Sequence, residues 1–295
     1  MENNREFIIS TDTNSDLPFS FIDENNINLM GLGYTMDGVT RFSDDRTIDP
    51  HDFYERMRAG GMPTTMQINP EQAEKSFEAL VTQGFDVLHI AFSSGLSGSY
   101  NSAEMGAAEV RERYPEAKVV VIDSLSASLG QGLMVYYAVQ LKKAGKSLEE
   151  TAAWIESHRQ NFLHYFTVED LNHLYRGGRV SKATAVFGTM LGIKPVMYVD
   201  AEGHLVPMGK VRGRKQSMLE LINRMGPKME GMDNEIVFIS HGDALDEAKF
   251  CAEEIKKKYK IKNFLFNYVG PTIGAHSGPG TIAIFFLGKD RTEGK

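Results

Sequence analysis

Apolar and polar positions alternate along the first half of the chain in blocks of strand length and helix length. Phe7-Ile8-Ile9 is a short apolar strand that ends in a polar loop, Ser10 to Asp16, and Pro18 suits a first helical turn. Ile27 to Tyr34 reads as a second strand, and Asp49-Pro50 opens a helix through Met57. Pro63-Thr64-Thr65 reads as a loop before a helix that Asn69-Pro70 starts and Val81 ends. Asp86 to Phe92 is a buried strand, followed by the Gly/Ser loop Ser93 to Ser99 and an amphipathic helix through Tyr114. Lys118 to Ile122 is another strand, Asp123 to Ser128 another loop, and a helix then runs to about Lys143. Strands separated by helix-length segments predict βαβ units and a parallel sheet.

The pattern changes after the helix predicted over Leu148–His158. Phe162–Val168, Lys194–Val199, His204–Val211, Glu235–Ser240, Phe264–Tyr268 and Thr281–Leu287 are strand-like. Asp200-Ala201-Glu202-Gly203 suits a hairpin turn, and helices fall at about Lys215–Met229 and Leu245–Tyr259. The expected architecture is α/β with two domains: an N-terminal parallel-sheet domain over 1–160 and a C-terminal mixed α/β domain over 161–295.

Composition narrows the function classes. A chain of 295 residues supports two cores. Apolar content of 42% and charged content of 24% are those of a globular protein. The net charge of −7 argues against nucleic acid as a main partner, because phosphate neutralisation needs basic surface. The single cysteine, Cys251, excludes an intramolecular disulfide and thiolate metal clusters, and suits a core position in a reducing cytoplasm. Met1–Ser10 has no basic region followed by a long apolar run, and no apolar stretch reaches bilayer length. A cytoplasmic protein without stable membrane insertion is expected. Neither a Walker phosphate loop nor the Gly-x-Gly-x-x-Gly dinucleotide pattern occurs, so no nucleotide cofactor and no metal are expected.

Candidate chemistry lies in the loops. In a parallel sheet, ligands bind outside the carboxyl ends of the strands. Ser93-Ser94-Gly95-Leu96-Ser97-Gly98-Ser99 precedes a helix, so its N–H groups favour an anion, and Gly95 and Gly98 permit close approach. Thr65 lies one helix and one strand earlier, on the same predicted sheet edge, so the hydroxyls of Thr65 and Ser97 can converge on one small anion such as a carboxylate. Arg176-Gly177-Gly178-Arg179 offers two guanidinium groups around a glycine pair, and Gly274-Ala275-His276-Ser277 places one histidine in a tight loop. The basic run Lys210, Arg212, Arg214 and Lys215 is a candidate docking patch in an acidic protein. Gly95-Leu96-Ser97-Gly98 also approaches the nucleophile elbow of serine hydrolases, failing at its last position, where Ser99 stands. Asp123 and His276 would complete a triad in chain order, which keeps an acyl hydrolase as a competing reading.

These segments in this order, with Thr11-Asp12-Thr13-Asn14-Ser15-Asp16-Leu17-Pro18, Thr65-Met66-Gln67 and Gly130-Gln131-Gly132, resemble the DegV family over nearly the whole chain. The resemblance implies a two-domain protein holding a long-chain fatty acid in a tunnel between its domains. It implies that Thr65, Ser97 and Gly98 bind the carboxylate, with His276 beside it and Arg176 or Arg179 near the head group. It further implies a non-catalytic lipid-binding subunit that presents the acid to a separate ATP-binding kinase subunit for acyl phosphate formation and phospholipid synthesis, with Lys210, Arg212 and Arg214 on the docking surface. A regulatory lipid sensor without a kinase is the alternative. Met66, Ile68 and Ser99 stand where the family often has Ser, Pro and Thr.

A tail of about sixteen carbons buries roughly fifteen methylenes, on the order of 12 kcal/mol of gross transfer free energy. Association costs offset much of this, so the tail drives binding and the head-group contacts orient it. Phe166, Phe187, Met190, Leu191, Ile193 and Phe285 are the tail-lining candidates.

Overall fold

In the computed structural model, which describes residues 5–186 and 192–292, the first-half strands are β1 (Phe7–Asp12), β2 (Asn28–Met30), β3 (Gly33–Met36), β4 (Val39–Phe42), β5 (Thr64–Met66), β6 (Asp86–Ala91) and β7 (Val119–Asp123). Four of them form a parallel sheet in the order β2-β1-β6-β7, with β1 pairing in parallel to both β2 and β6. Both faces of β1 and β6 are buried, as expected of central parallel strands. The helices Pro70–Val81, Ser99–Arg113, Leu129–Lys143 and Leu148–His158 follow the predicted spans closely. Their starts carry the expected signals. Asn69 caps Pro70–Val81 through its side chain, and Ser147 and Glu150 form a capping box.

Two expectations in this half are corrected. Ile27–Tyr34 is not one strand. The chain leaves the parallel sheet at Gly31-Leu32, where the Leu32 N–H donates to Thr13 and its carbonyl accepts from Ser43, and it re-enters a separate antiparallel sheet as β3. Pro63-Thr64-Thr65 is not wholly a loop, because Thr64–Met66 pairs with Gly33–Thr35 as β5 of that sheet, ordered β4-β3-β5. The β3–β4 hairpin is absent from the expectation although Asp37-Gly38, with φ of 51° and 76°, is its turn signal.

The second half contributes β8 (Phe162–Thr167), β9 (Ile193–Val199), β10 (Leu205–Arg212), β11 (Ile236–His241), β12 (Asn263–Tyr268) and β13 (Ile282–Leu287). They form one mixed sheet, β10-β9-β8-β13-β11-β12, and β9 and β10 join through the predicted turn at Asp200–Gly203. Short helices at Leu171–Arg176, Lys182–Val186 and Pro271–Ser277 replace what the sequence pattern left as loops. Among the described residues, strands up to Asp123 lie in the first two sheets and strands from Phe162 lie in the third. On that ground we propose the division at 160/161. Cys251 is fully buried in the core of the second half.

The two halves share a continuous core. Phe7, Leu88, Leu133, Phe162, Phe238 and Phe285 belong to one buried cluster. Polar stitches reinforce it: Tyr54 donates to the Val269 carbonyl at 2.7 Å, and Asn267 donates to the Asp16 carbonyl at 2.7 Å. Arg291 is 2% exposed and has burial-lowered basicity, about 9. Its guanidinium donates to the carbonyls of Leu125, Phe162 and Arg159 and to Ser126.

Candidate functional site

Between the two halves lies a cavity of about 430 Å³, inside the range of roughly 300–1,000 Å³ typical of small-molecule sites. Leu32, Phe92, Phe166, Leu174, Val199 and Phe285 supply much of its apolar wall. Of the proposed tail-lining residues, Phe166 and Phe285 lie in this wall, Ile193 does not, and Phe187, Met190 and Leu191 fall outside the described residues.

Four of the six predicted head-group residues line the cavity: Thr65, Ser97, His276 and Arg179. Each is half-buried, and the exposed lining residues Met66 and Gln67, next to Thr65, mark this end as the one at which the cavity meets solvent. Thr65 comes from β5. Ser97 comes from the loop before the helix Ser99–Arg113. His276 stands in the last turn of the helix Pro271–Ser277, not in a loop; Pro271 starts that helix and Gly278, at φ +80°, ends it. Thr65 Oγ1 lies 2.9 Å from His276 Nε2. Ser97 Oγ lies 3.0 Å from Ser99 Oγ and accepts the Ser99 N–H. Arg179 is fixed by donating to the carbonyls of Leu96 and Gly177.

The remaining two stand apart from the lining. Gly98 caps the Ser99–Arg113 helix and adjoins Gln67. Arg176 is exposed and directed at Met62 Sδ and His173. Of the two guanidinium groups, that of Arg179 alone lines the cavity.

Burial, with the nearby Arg179 charge, pushes the His276 imidazole down to about 4, so it is neutral at neutral pH. A Cβ at Gly177 would come within 2.1 Å of His276 Nδ1, so only glycine there lets the ring take this position. Burial likewise lowers the basicity of Arg179, but a guanidinium stays charged. The mouth thus combines one fixed positive charge, two hydroxyls and a neutral imidazole. That set suits a single carboxylate.

The loop carrying Ser97 is held by the opposite half. Ser93 Oγ donates to the Gly203 carbonyl at 3.0 Å and accepts the Gly95 N–H at 3.2 Å. Gly203 has φ +82°, and a Cβ there would approach Ser93 Oγ to 2.2 Å. The β9–β10 turn is therefore a seat for the loop, a role no local sequence pattern reveals.

A hydrolase triad is not assembled. His276 Nε2 faces Thr65, Ser97 pairs with Ser99, and the Asp123 carboxylate accepts the N–H groups of Ser94 and Leu125. The basic run is divided. Arg212 is exposed at the end of the edge strand β10 and Lys210 is exposed on the same strand. Arg214 instead turns inward, pairing with Glu247 at 2.5 Å and Glu169 at 3.3 Å. Of the three expected docking cations, Arg214 is thus the one paired to two carboxylates of its own chain.

Fold and cavity together define a two-domain α/β protein with an apolar cavity that carries a polar end. The family model described as "Uncharacterised protein, DegV family" matches residues 6–289. A DegV domain-containing protein of Clostridium perfringens is 42% identical over 285 residues, 96% of this chain and 98% of the relative. The chain belongs to the DegV family. A solved DegV family protein from Thermus thermophilus, described by its fatty acid binding, superposes with TM-score 0.85 at 29% identity, covering 96% of this chain and all of that one. A stearic acid-binding protein from Eubacterium ventriosum superposes with TM-score 0.88 at 26% identity, covering 96% and 98%. No helix among the described residues is long and apolar enough to cross a membrane.

Proposed function

We propose that this protein binds one long-chain fatty acid, with the tail in the interdomain cavity and the carboxylate at Thr65, Ser97 and Arg179. The observation that carries this reading is the polar mouth on an apolar cavity: three donors and one neutral imidazole converge where the cavity meets solvent. Hydrogen-bond accounting assigns the roles. A carboxylate only accepts. Thr65 has one hydroxyl proton, which it can give to the ligand only if His276 Nε2 carries its own proton and donates to Thr65 Oγ1. His276 is thus a positioning residue that turns Thr65 towards the ligand. Arg179 supplies the compensating charge, and Ser97 the second hydroxyl. The fatty acid binding described for the Thermus and Eubacterium proteins supports the same ligand class.

We propose further that the bound acid is presented to a separate ATP-binding kinase subunit. The phosphoryl group would pass from ATP to a carboxylate oxygen, forming the acyl phosphate as the bond to the leaving ADP breaks. The likeness of the motif set to the acyl-binding subunits of bacterial fatty acid kinases supports this step, and the docking surface it implies carries Lys210 and the exposed Arg212. On this reading the chain is a cytoplasmic carrier and not an enzyme by itself.

The test is native mass spectrometry of the purified protein, with lipid analysis after denaturation. One fatty acid per chain is expected, much reduced in a Thr65→Ala, Ser97→Ala double variant. An empty protein that refuses added palmitate and oleate refutes the carrier. Failure to form acyl phosphate with ATP and the candidate kinase, despite bound lipid, refutes only the second step.

A further inference from the structure

A carboxylate and a plain alkyl tail do not use all the polar side chains of this cavity. Behind the half-buried mouth lie Asn14, Ser128, Ser240, Thr272 and Ser277, all of which line the cavity and none of which is more than 5% exposed. They come from the loop after β1, the loop after β7, the end of β11 and the Pro271–Ser277 helix, so both halves build this inner group.

Several of its donors are unspent. The Ser277 hydroxyl is buried without a hydrogen bond among the described residues. Thr272 donates to Asn14 Oδ1 at 2.5 Å, which leaves the Asn14 side-chain N–H groups without an acceptor among the described residues. Ser128 Oγ has one proton and two neighbours in reach, Asp16 Oδ2 at 2.5 Å and Ser240 Oγ at 2.9 Å. Burial holds Asp16 largely in its acid form, its pKa pushed up to about 8. Towards Ser240 it is Ser128 that donates, and the Ser240 proton has no acceptor among the described residues. Unspent buried donors are costly unless something accepts from them. A saturated tail offers no lone pair.

We propose that Asn14, Ser240 and Ser277 form a second polar subsite, inside the cavity, that accepts an oxygen substituent on the acyl chain, so that the preferred ligand is a hydroxy or oxo fatty acid. The proposal rests on the carrier reading, since the carboxylate at Thr65 and Ser97 sets how far along the chain the oxygen must lie.

The experiment is calorimetric titration of the delipidated full chain with stearic acid and with a series of positional hydroxystearic and oxostearic acids. At least one positional isomer is expected to bind about five- to tenfold tighter than stearate, the effect of one well-made hydrogen bond. In Ser240→Ala, Ser277→Ala protein the ratio of that isomer to stearate is expected to fall to about one. If stearate binds and no isomer binds better, water takes these donors and the second subsite is overturned while the carrier stands. A preference that survives the double variant overturns the residue assignment and with it the subsite. If neither stearate nor any isomer binds, the carrier reading itself fails.

Discussion

Replacing Thr65 by valine tests the head-group assignment with little change of shape. The substitution removes one hydroxyl, 2.9 Å from His276 Nε2, which on the proposed reading accepts from His276 and donates to the ligand. A hydrogen bond to a charged group contributes about 1.5–3 kcal/mol. The site is half-buried and water can reach the mouth, which places the loss towards the lower part of that range. The predicted weakening for palmitate is therefore about ten- to fiftyfold, at about 1.4 kcal/mol per tenfold. The tail is untouched, so methyl palmitate, which has the same chain and no anion, should lose at most about twofold. Calorimetry with both ligands on wild type and variant gives the ratio directly. Equal losses for acid and ester would refute the assignment, since they would mean that Thr65 acts through the tail or through folding. An unchanged palmitate affinity would refute it too.

Gly203→Ala should weaken the acid selectively and lower stability, because the left-handed φ of +82° and the 2.2 Å approach to Ser93 both oppose a Cβ; a loss of about 2 kcal/mol or more in denaturant unfolding is expected. Asp16→Asn should flatten the dependence of stability on pH. Burial raises the carboxyls of Asp16 to about 8 and Asp12 to about 6 in the folded state. The unfolded chain, with ordinary carboxyls near 4, therefore holds fewer protons across the interval from about 4 to 8, and stability falls as pH rises through it. Loss of one such group removes up to about 1.4 kcal/mol per pH unit of that fall, measurable by thermal unfolding at pH 5, 6, 7 and 8; an unaltered slope in the variant would count against the buried acid form. Arg212→Ala should reduce acyl phosphate formation with the kinase and leave palmitate affinity as it is, whereas Arg214→Met should instead destabilise the fold by about 1 kcal/mol, since the carboxylates of Glu247 and Glu169 that it leaves stay partly in water; the reverse pattern would overturn the division of the basic run.

The parts of this molecule that local chemistry dictates were legible in the chain, and the parts that depend on contact across the halves were not. Asn69-Pro70 and the Ser147–Glu150 capping box announce their helices because a cap and its helix are neighbours in sequence. Thr65, Ser97, Arg179 and His276 could be nominated from four separate segments because each sits in a short polar, Gly-rich stretch. What could not be read is that Thr65 enters as a strand. A three-residue pairing with Gly33–Thr35 has no periodicity of its own. Nor could it be read that Arg214 faces inward while Arg212 faces out, because Glu247 lies 33 residues further on. The inner polar group is the extreme case. Ser128 and Ser240 are 112 residues apart and each looks like an ordinary loop or strand-end serine, yet they share one hydrogen-bonded cluster with Asp16. Sequence patterns can therefore propose which residues hold the charged end of a ligand, where the chain spends conspicuous glycines and hydroxyls. They are silent about the interior wall, where donors become significant only after two halves have closed around the same space.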